Sequence, residues 1–266
     1  MNVVITGSSA GIGKFLADAL VNKGHDVCRV ARSAQEGFAI RGDVSNWTDM
    51  AAAAQVVAQK WKSVNALICC AGIQEPIGPA MEIAPAAWRQ ALGVNLDGTF
   101  FSIRAFYPLL QKASPRAKVI CFSGGGSTSP RPNFAAYGVS KTGVVRLVET
   151  LATEWKDQPL DINAVAPGAI FTKMTEQVLN AGAASVGKKE FEQASKLSRD
   201  NAAALEKVFG LVEFLLSENS NGISGRLLSA PWDPWPSLAK HRDELAASDI
   251  YTLRRIVPED RGKKWS

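Results

Sequence analysis

Thr6-Gly7-Ser8-Ser9-Ala10-Gly11-Ile12-Gly13 is the stretch on which the reading of this chain turns. It follows the β-branched run Asn2-Val3-Val4-Ile5, and beyond it Ile12, Phe15, Leu16, Ala19 and Leu20 fall on one helical face. The order is strand, glycine turn, helix. In such a turn Gly7 permits the sharp exit from the strand, Gly11 lets a pyrophosphate approach the backbone, and Gly13 lets the helix pack closely on the sheet. The free amides at the helix start then face the phosphates. A glycine-rich turn alone is a weak signal, and its place between a first strand and an amphipathic helix is what gives it weight.

Outward from this turn, apolar runs at 27–31, 66–70, 119–122 and 162–165 each end in small or turn-forming residues. Helical periodicity fills 50–61, 86–110, 136–155 and 202–216. Nearly continuous apolar strands alternating with helices predict an α/β fold: a doubly wound parallel sheet of Rossmann type, three layers deep, with seven mostly parallel strands. One domain spans 1–228. Within it, 172–201 is polar, Gly- and Ala-rich and weakly periodic, the pattern of a loop with helical pieces lying over a site. After Leu228, Ser229-Ala230-Pro231-Trp232-Asp233-Pro234-Trp235-Pro236 breaks any strand. The rest of 229–266 is a polar, helix-capable extension, packed on the same domain or on a neighbouring subunit.

The 266 residues are 46% hydrophobic and 21% charged, which excludes a disordered or collagen-like chain. No run approaches the roughly 18 apolar residues of a spanning helix, and the amino terminus lacks a leader pattern, so a cytoplasmic protein with no membrane partner is expected. Cys28, Cys69, Cys70 and Cys121 lack metal-type spacing, and only His25 and His241 add imidazoles, so no metal is expected. The adjacent Cys69 and Cys70 read as reduced, buried thiols. Lys and Arg exceed Asp and Glu by 30 − 25 = 5, which fits a phosphate-bearing ligand. With no basic run longer than Lys188-Lys189 or Lys263-Lys264, nucleic acid is not expected as a partner.

Tyr137 and Lys141, four apart, share one face near the start of the helix at 136–155. A phenol of pKa near ~10 works as an acid/base at neutral pH only beside a cation, and Lys141 supplies one. Further along the order come Asp43-Val44 after the third strand, Cys69-Cys70-Ala71-Gly72, Asn95 in a helix, Tyr137-Gly138-Val139-Ser140-Lys141, and Pro167-Gly168 closing the sixth strand. Together with the glycine turn, over about residues 1–228, these resemble the short-chain dehydrogenase/reductase family in its compact subfamily. The third motif is a variant of that family's usual Asn-Asn-Ala-Gly.

The resemblance implies hydride transfer between a nicotinamide cofactor and a carbonyl or secondary alcohol. It makes Tyr137 the general acid when a carbonyl is reduced, Lys141 the group that lowers its pKa and binds ribose, and Asn95 the anchor of a proton-relaying water. Cofactor contacts then fall to Gly7, Ser9, Gly11, Ile12, Gly13, Asp43, Val44, Ala71, Gly72, Tyr137, Lys141, Pro167, Gly168, Ile170 and Thr172. Thr172 bonds the carboxamide, and 172–201 closes over the substrate. Pairing through the helices at 86–110 and 136–155 implies a homodimer or homotetramer.

Three departures shape the finer reading. The family's substrate-orienting serine usually lies one residue nearer the tyrosine than Ser123, at a position held here by Gly124; either Ser123 or Ser127 serves, or backbone amides of Gly124-Gly125-Gly126 take that part. At the end of the second strand, Val30-Ala31-Arg32-Ser33 has alanine where a carboxylate would hold the ribose of NAD. Arg32 and Ser33 suit a 2′-phosphate, so NADP(H) is favoured over NAD(H); the stretch 32–43 is also too short for the usual intervening helix. In the extension, Trp232 and Trp235 form either a stacking wall for a sugar, with Asp233 accepting its hydroxyls, or interface and core aromatics. Arg254-Arg255 reach a substrate phosphate, a neighbouring subunit, or solvent from a helical face. A sugar or other polar anionic substrate follows from these features. The rivals are a catalytically silent NADP(H)-binding sensor or scaffold and a 3-oxoacyl thioester reductase.

Overall fold

Strict alternation along the strands decides the architecture of the computed structural model, which describes residues 1–33 and 37–265. The strands are β1 (Asn2–Thr6), β2 (Asp26–Ala31), β3 (Phe38–Arg41), β4 (Ala66–Cys69), β5 (Ala117–Phe122), β6 (Leu160–Ala166) and β7 (Leu227–Ser229). They form one sheet in the order β3-β2-β1-β4-β5-β6-β7, with every pairing parallel. Val4, Leu67, Val119 and Ile162 point to one face; Val3, Ile5, Ile68, Ile120 and Val165 point to the other. The first face is covered by α2 (Trp47–Lys60), α4 (Gly98–Leu110) and α5 (Ala135–Glu154) through Met50, Val57, Phe106, Leu110, Val144 and Val148. The second is covered by α1 (Gly11–Asn22) and α8 (Ala202–Leu216) through Leu16, Leu20, Val208, Leu211 and Leu215. This is the three-layer, doubly wound sheet the sequence predicts. Its strand order reverses between β1 and β4, and in such sheets ligands bind at the carboxyl ends of the strands flanking that switch.

Two elements depart from the periodicity. The helix expected over 86–110 is α3 (Pro85–Leu92), a wider π-helical turn at Gly93–Asp97, and then α4. Apolar spacing carries through the turn, so periodicity alone does not register the extra residue. The segment 172–201 is mostly helical: α6 (Lys173–Val186), broken at Gly182, and α7 (Lys188–Ser195). Only six residues separate β2 from β3, too few for a crossover helix, and 34–36 lie outside the described residues.

The extension belongs to the same core. Leu238 and Leu245 are buried on the second face, and a Cβ placed on Gly210 of α8 would lie 2.9 Å from Trp235. Arg226, buried, donates to the carbonyls of Ser248 (3.0 Å), Ile250 (2.7 Å) and Leu245, tying down the turn after α9 (Arg242–Ala246). The open side of β7 is closed as well: Leu227 N donates to Tyr251 O (2.9 Å) and Ser229 N to Asp233 Oδ2 (2.6 Å). An edge strand whose outward donors are already bonded offers no template for another strand. Ser266 of the expected extension lies outside the described residues.

Candidate active site

The loops after β1 and β4 meet at the switch point, and the glycines are what allow it. Gly7 has φ 72°, donates from its amide to Val30 O (2.9 Å), and sits so close to the loop after β4 that a Cβ would lie 2.5 Å from Ala71 N. A Cβ on Gly13 would run into Gly7 O, so α1 packs directly against the turn. Gly11 faces open space, where a Cβ would meet only a Thr172 methyl at 3.9 Å, and α1 begins without a side-chain cap. Its first amides are left for a ligand. Here begins a cleft of about 1790 Å³ lined by Gly7, Ser9, Gly11, Ile12 and Gly13.

The rim continues along the ends of β2 and β3. Ala31 is buried, Arg32 is exposed at the cleft wall, and Ser33 is exposed beside it. Asp43 turns one carboxylate oxygen onto Ser45, accepting from its amide (2.9 Å) and hydroxyl (2.7 Å), and Val44 is buried at the wall.

Asn95, fully buried in the π-helical turn, braces the site. Its Oδ1 accepts from Ile73 N (2.8 Å), and its Nδ2 donates to Ile73 O (2.9 Å) and Ser140 Oγ (3.0 Å). Ser140 in turn donates to Tyr137 O (2.7 Å). One amide therefore ties the loop carrying Ala71 and Gly72 to the helix carrying Tyr137, and both its donors are engaged in doing so.

Tyr137 and Lys141 stand one turn apart at the start of α5, both buried and both at the cleft. Lys141 Nζ donates to Phe122 O (2.9 Å) and lies 5.8 Å from the Tyr137 ring centroid. Burial draws its pKa down to about 8, with the thiols of Cys70, Cys121 and Cys69 working against that fall. Burial also pushes the Tyr137 phenol above its ordinary value; Arg131 opposes the rise and Cys70 adds to it. Burial raises the Cys70 thiol to about 12, while a hydrogen bond with Cys121 and then burial hold Cys69 well above its usual range.

Gly124 has no room for a side chain. A Cβ there would overlap Tyr137 Oη and lie 3.0 Å from Cζ, so the phenol occupies the space a serine would need. Ser123, one residue earlier, is buried at the cleft with its Oγ unpartnered. Ser127 is buried at the cleft too, its carbonyl accepting from Thr142 (3.1 Å).

The opposite wall is built by β6, the 172–201 segment and the extension. Gly168 (φ 81°) is roofed by Pro231, whose Cγ lies 2.8 Å from where a Cβ would sit. Ile170 is buried and accepts from Thr175 Oγ1 (2.9 Å), and Thr172 N donates to the same hydroxyl (3.3 Å), which sets the entry into α6 over the cleft. Arg131 grips Glu190 of α7 with two hydrogen bonds (Nε 2.9 Å, Nη2 2.8 Å), latching this segment to the loop before Tyr137. Phe134, Tyr137, Val178, Val186 and Ala194 pack together beneath it.

The pair of tryptophans does not form a wall. Trp235 is packed on α8, 6.1 Å from Phe214, and donates to Ala230 O (3.2 Å); Trp232 alone reaches the cleft, 84% exposed. Asp233 Oδ2 is occupied by Ser229 N. Arg254 pairs with Asp249 and Asp260 (2.6 Å each) inside the extension, where 251–257 is not helical. Sequence reasoning passed over Gln74, the Arg131–Glu190 latch and Tyr251, which lines the cleft at φ 63°. Gln74 stands in a loop with no periodicity, and the latch joins residues 59 apart; neither leaves a trace in the sequence. Among the described residues, no group of His, Cys, Asp and Glu converges as a metal site, and no helix is long and apolar enough to cross a membrane.

A switch-point cleft with an uncapped helix start on one side and a buried Tyr–Lys pair on the other defines a dinucleotide-dependent α/β enzyme. The chain belongs to the short-chain dehydrogenase family, whose model matches residues 1–183. It is an oxidoreductase of CH–OH groups that binds a nicotinamide cofactor. It is 35% identical over 184 residues to galactitol 2-dehydrogenase (L-tagatose-forming) of Cereibacter sphaeroides, covering 64% of this chain and 72% of that one. Over 245 residues it is 26% identical to L-2,3-butanediol dehydrogenase of Corynebacterium glutamicum (85% and 95% covered). The fold matches that of Thermoplasma acidophilum aldohexose dehydrogenase with a TM-score of 0.74 at 22% identity, covering 96% and 97% of the two chains.

Proposed function

We propose that this enzyme moves a hydride between NADP(H) and a carbonyl or secondary alcohol of a polar, polyhydroxylated substrate. The observation that carries the reading is the convergence in one cleft of the glycine turn with Tyr137, Lys141 and the unpartnered Ser123 hydroxyl. The open backbone at Gly11 and the close Gly7–Gly13 packing fit a dinucleotide pyrophosphate. Gly7, Ser9, Gly11, Ile12 and Gly13 would hold it, with Asp43, Val44, Ala71 and Gly72 on the adenosine side. Pro167, Gly168, Ile170 and Thr172 would hold the nicotinamide, which when bound supplies or accepts the hydride.

The remaining chemistry belongs to the chain. Ser123 Oγ donates to the substrate oxygen, the acceptor it otherwise lacks. Tyr137 Oη gives its proton to that oxygen during reduction and takes it back during oxidation. The buried phenolate so formed is stabilised by the Lys141 ammonium, and by Arg131, whose Cζ lies 6.0 Å from the ring centroid. Asn95 keeps the loop after β4 and the start of α5 in register while this happens.

Preference for NADP(H) over NAD(H) rests on Ala31 standing where a carboxylate would repel a 2′-phosphate, and on Arg32 exposed at the rim. A polar or anionic substrate is supported by Lys173, Lys188, Lys189 and Lys196 along the mouth, and by the polyol and diol in the relatives' names. Exposed Phe100 on α4 and Val139 on α5 support a homodimer or homotetramer paired through those helices.

The test is calorimetric binding of NADPH and NADH, followed in the same samples by reduced-nicotinamide absorbance with a panel of ketones and keto-sugars. NADPH should bind more tightly than NADH, Arg32→Asp should reverse the order, and Tyr137→Phe should cut turnover by about 10²–10⁴-fold while leaving binding intact. Binding without turnover, indifferent to Tyr137→Phe, would make the chain a sensor; reduction confined to carrier-bound thioesters would make it an acyl reductase.

A further inference from the structure

Among the described residues, five buried side-chain atoms lack any hydrogen-bond partner: Gln74 Nε2, Ser123 Oγ, Glu149 Oε2, Arg242 Nε and Ser248 Oγ. Only Gln74 and Ser123 line the cleft. An orphaned buried donor destabilises the fold by about 1–3 kcal/mol, so two in one cleft call for a ligand that completes both. Ser123 has its acceptor in the reacting oxygen. Gln74 has none in the hydride transfer itself.

Its position is set from both sides. Gly72, two residues before it, lies so near the catalytic lysine that a Cβ there would be 3.4 Å from Lys141 Nζ. Ile73, its immediate neighbour, is held at both N and O by Asn95. Three residues beyond, Ile77 packs in the cluster that contains Tyr137, and Gly78 N donates to Asn133 O (2.8 Å). Gln74 is thus a fixed part of the wall between the catalytic lysine and the tyrosine's packing partners, only 6% exposed, with an amide donor directed to no protein atom.

We infer that Gln74 is the residue that selects the substrate, its side-chain amide donating to a second oxygen of the substrate, on a carbon close to the one that reacts. This rests on the oxidoreductase reading and narrows its substrate class to α-hydroxy ketones and vicinal diols over simple ketones and alcohols. Galactitol and 2,3-butanediol, in the names of two relatives, both carry an oxygen on the carbon next to a secondary alcohol. A site that hydrogen-bonds a substrate hydroxyl discriminates strongly against the analogue lacking it, because its own polar group is then left unpaired.

The experiment compares 3-hydroxy-2-butanone with 2-butanone as substrates of the wild type and Gln74→Met, and adds thermal melts of both ligand-free proteins. The wild type should prefer the hydroxy ketone by about tenfold to a hundredfold in kcat/KM. Gln74→Met, of similar volume, should bring the ratio close to one by lowering the hydroxy ketone's kcat/KM alone. Its melt should rise by about 2–4 °C, because an unsatisfied donor has left the interior. A ratio unchanged by Gln74→Met, or a melt lowered by several degrees, overturns the assignment while leaving the oxidoreductase intact. Absence of wild-type turnover with both ketones, with the corresponding diol and alcohol and with the whole keto-sugar panel brings down the proposed hydride transfer to a carbonyl or secondary alcohol, and this assignment with it.

Discussion

Lys118 and Lys141 are both buried, one at the amino end of β5 and the other against its carboxyl end, and they are treated in opposite ways. Lys118 donates to Asp161 Oδ2 (2.9 Å) and Ser220 Oγ (3.0 Å); Asp161 also accepts from Arg116 (2.9 Å) and Gly222 N (3.2 Å). Burial pulls the Lys118 pKa down, and the bond and charge of Asp161 work against it. Lys141 has a single backbone carbonyl as acceptor and no carboxylate beside it, and burial brings it down to about 8. Lys118 is matched by a carboxylate; Lys141 stands at the cleft without an acid to neutralise it. Matched groups hold the strands together, and unmatched ones are left for a ligand.

The largest effect expected from breaking this contrast is at the matched end. Asp161→Ala strands Lys118 in the interior and should remove about 3–5 kcal/mol of stability, read from urea unfolding midpoints, while the folded fraction keeps its turnover. Loss of turnover with unchanged stability would reverse the roles of the two ends.

Next comes the pH dependence of the unmatched end. Lys141 binds its proton with a pKa of about 8 in the folded chain against 10.5 ordinarily, so between those values the unfolded chain holds more protons and stability rises with pH. Relative to Lys141→Met, which cancels titrations elsewhere, the wild type should gain on the order of 2 kcal/mol from pH 8 to pH 10.5. A flat difference across that window would mean that Lys141 is solvated or paired.

The smallest effect falls on the catalytic geometry alone. Gly124→Ser restores the residue usual in the family, yet its Cβ must displace the Tyr137 hydroxyl, so kcat should fall about tenfold with the fold and cofactor binding retained. A rise in kcat would show that the loop after β5 rearranges to bring a serine into the place Ser123 is assigned.

Much of this was legible beforehand because it depends on local backbone chemistry. The glycine turn, the strand–helix alternation and the Tyr137–Lys141 spacing are features of neighbouring residues, and α8 begins and ends where its apolar period does. The π-helical turn at Gly93–Asp97 escaped because apolar spacing continues through it. Trp232 and Trp235 read alike three residues apart, and only the approach of α8 at Gly210 separates a core anchor from a side chain standing at the cleft mouth.

The sequence by itself determined a doubly wound α/β enzyme with a glycine turn after its first strand and Tyr137 and Lys141 one helical turn apart, since periodicity and glycine placement act over a few residues. Tertiary structure alone decided that the Tyr137 hydroxyl fills the place of a side chain at 124, that Arg131 latches α7, that the extension seals β7, and that Gln74 Nε2 is left without a partner. These depend on which distant segments come within hydrogen-bonding distance, and that follows from how the layers pack rather than from the order of residues along the chain.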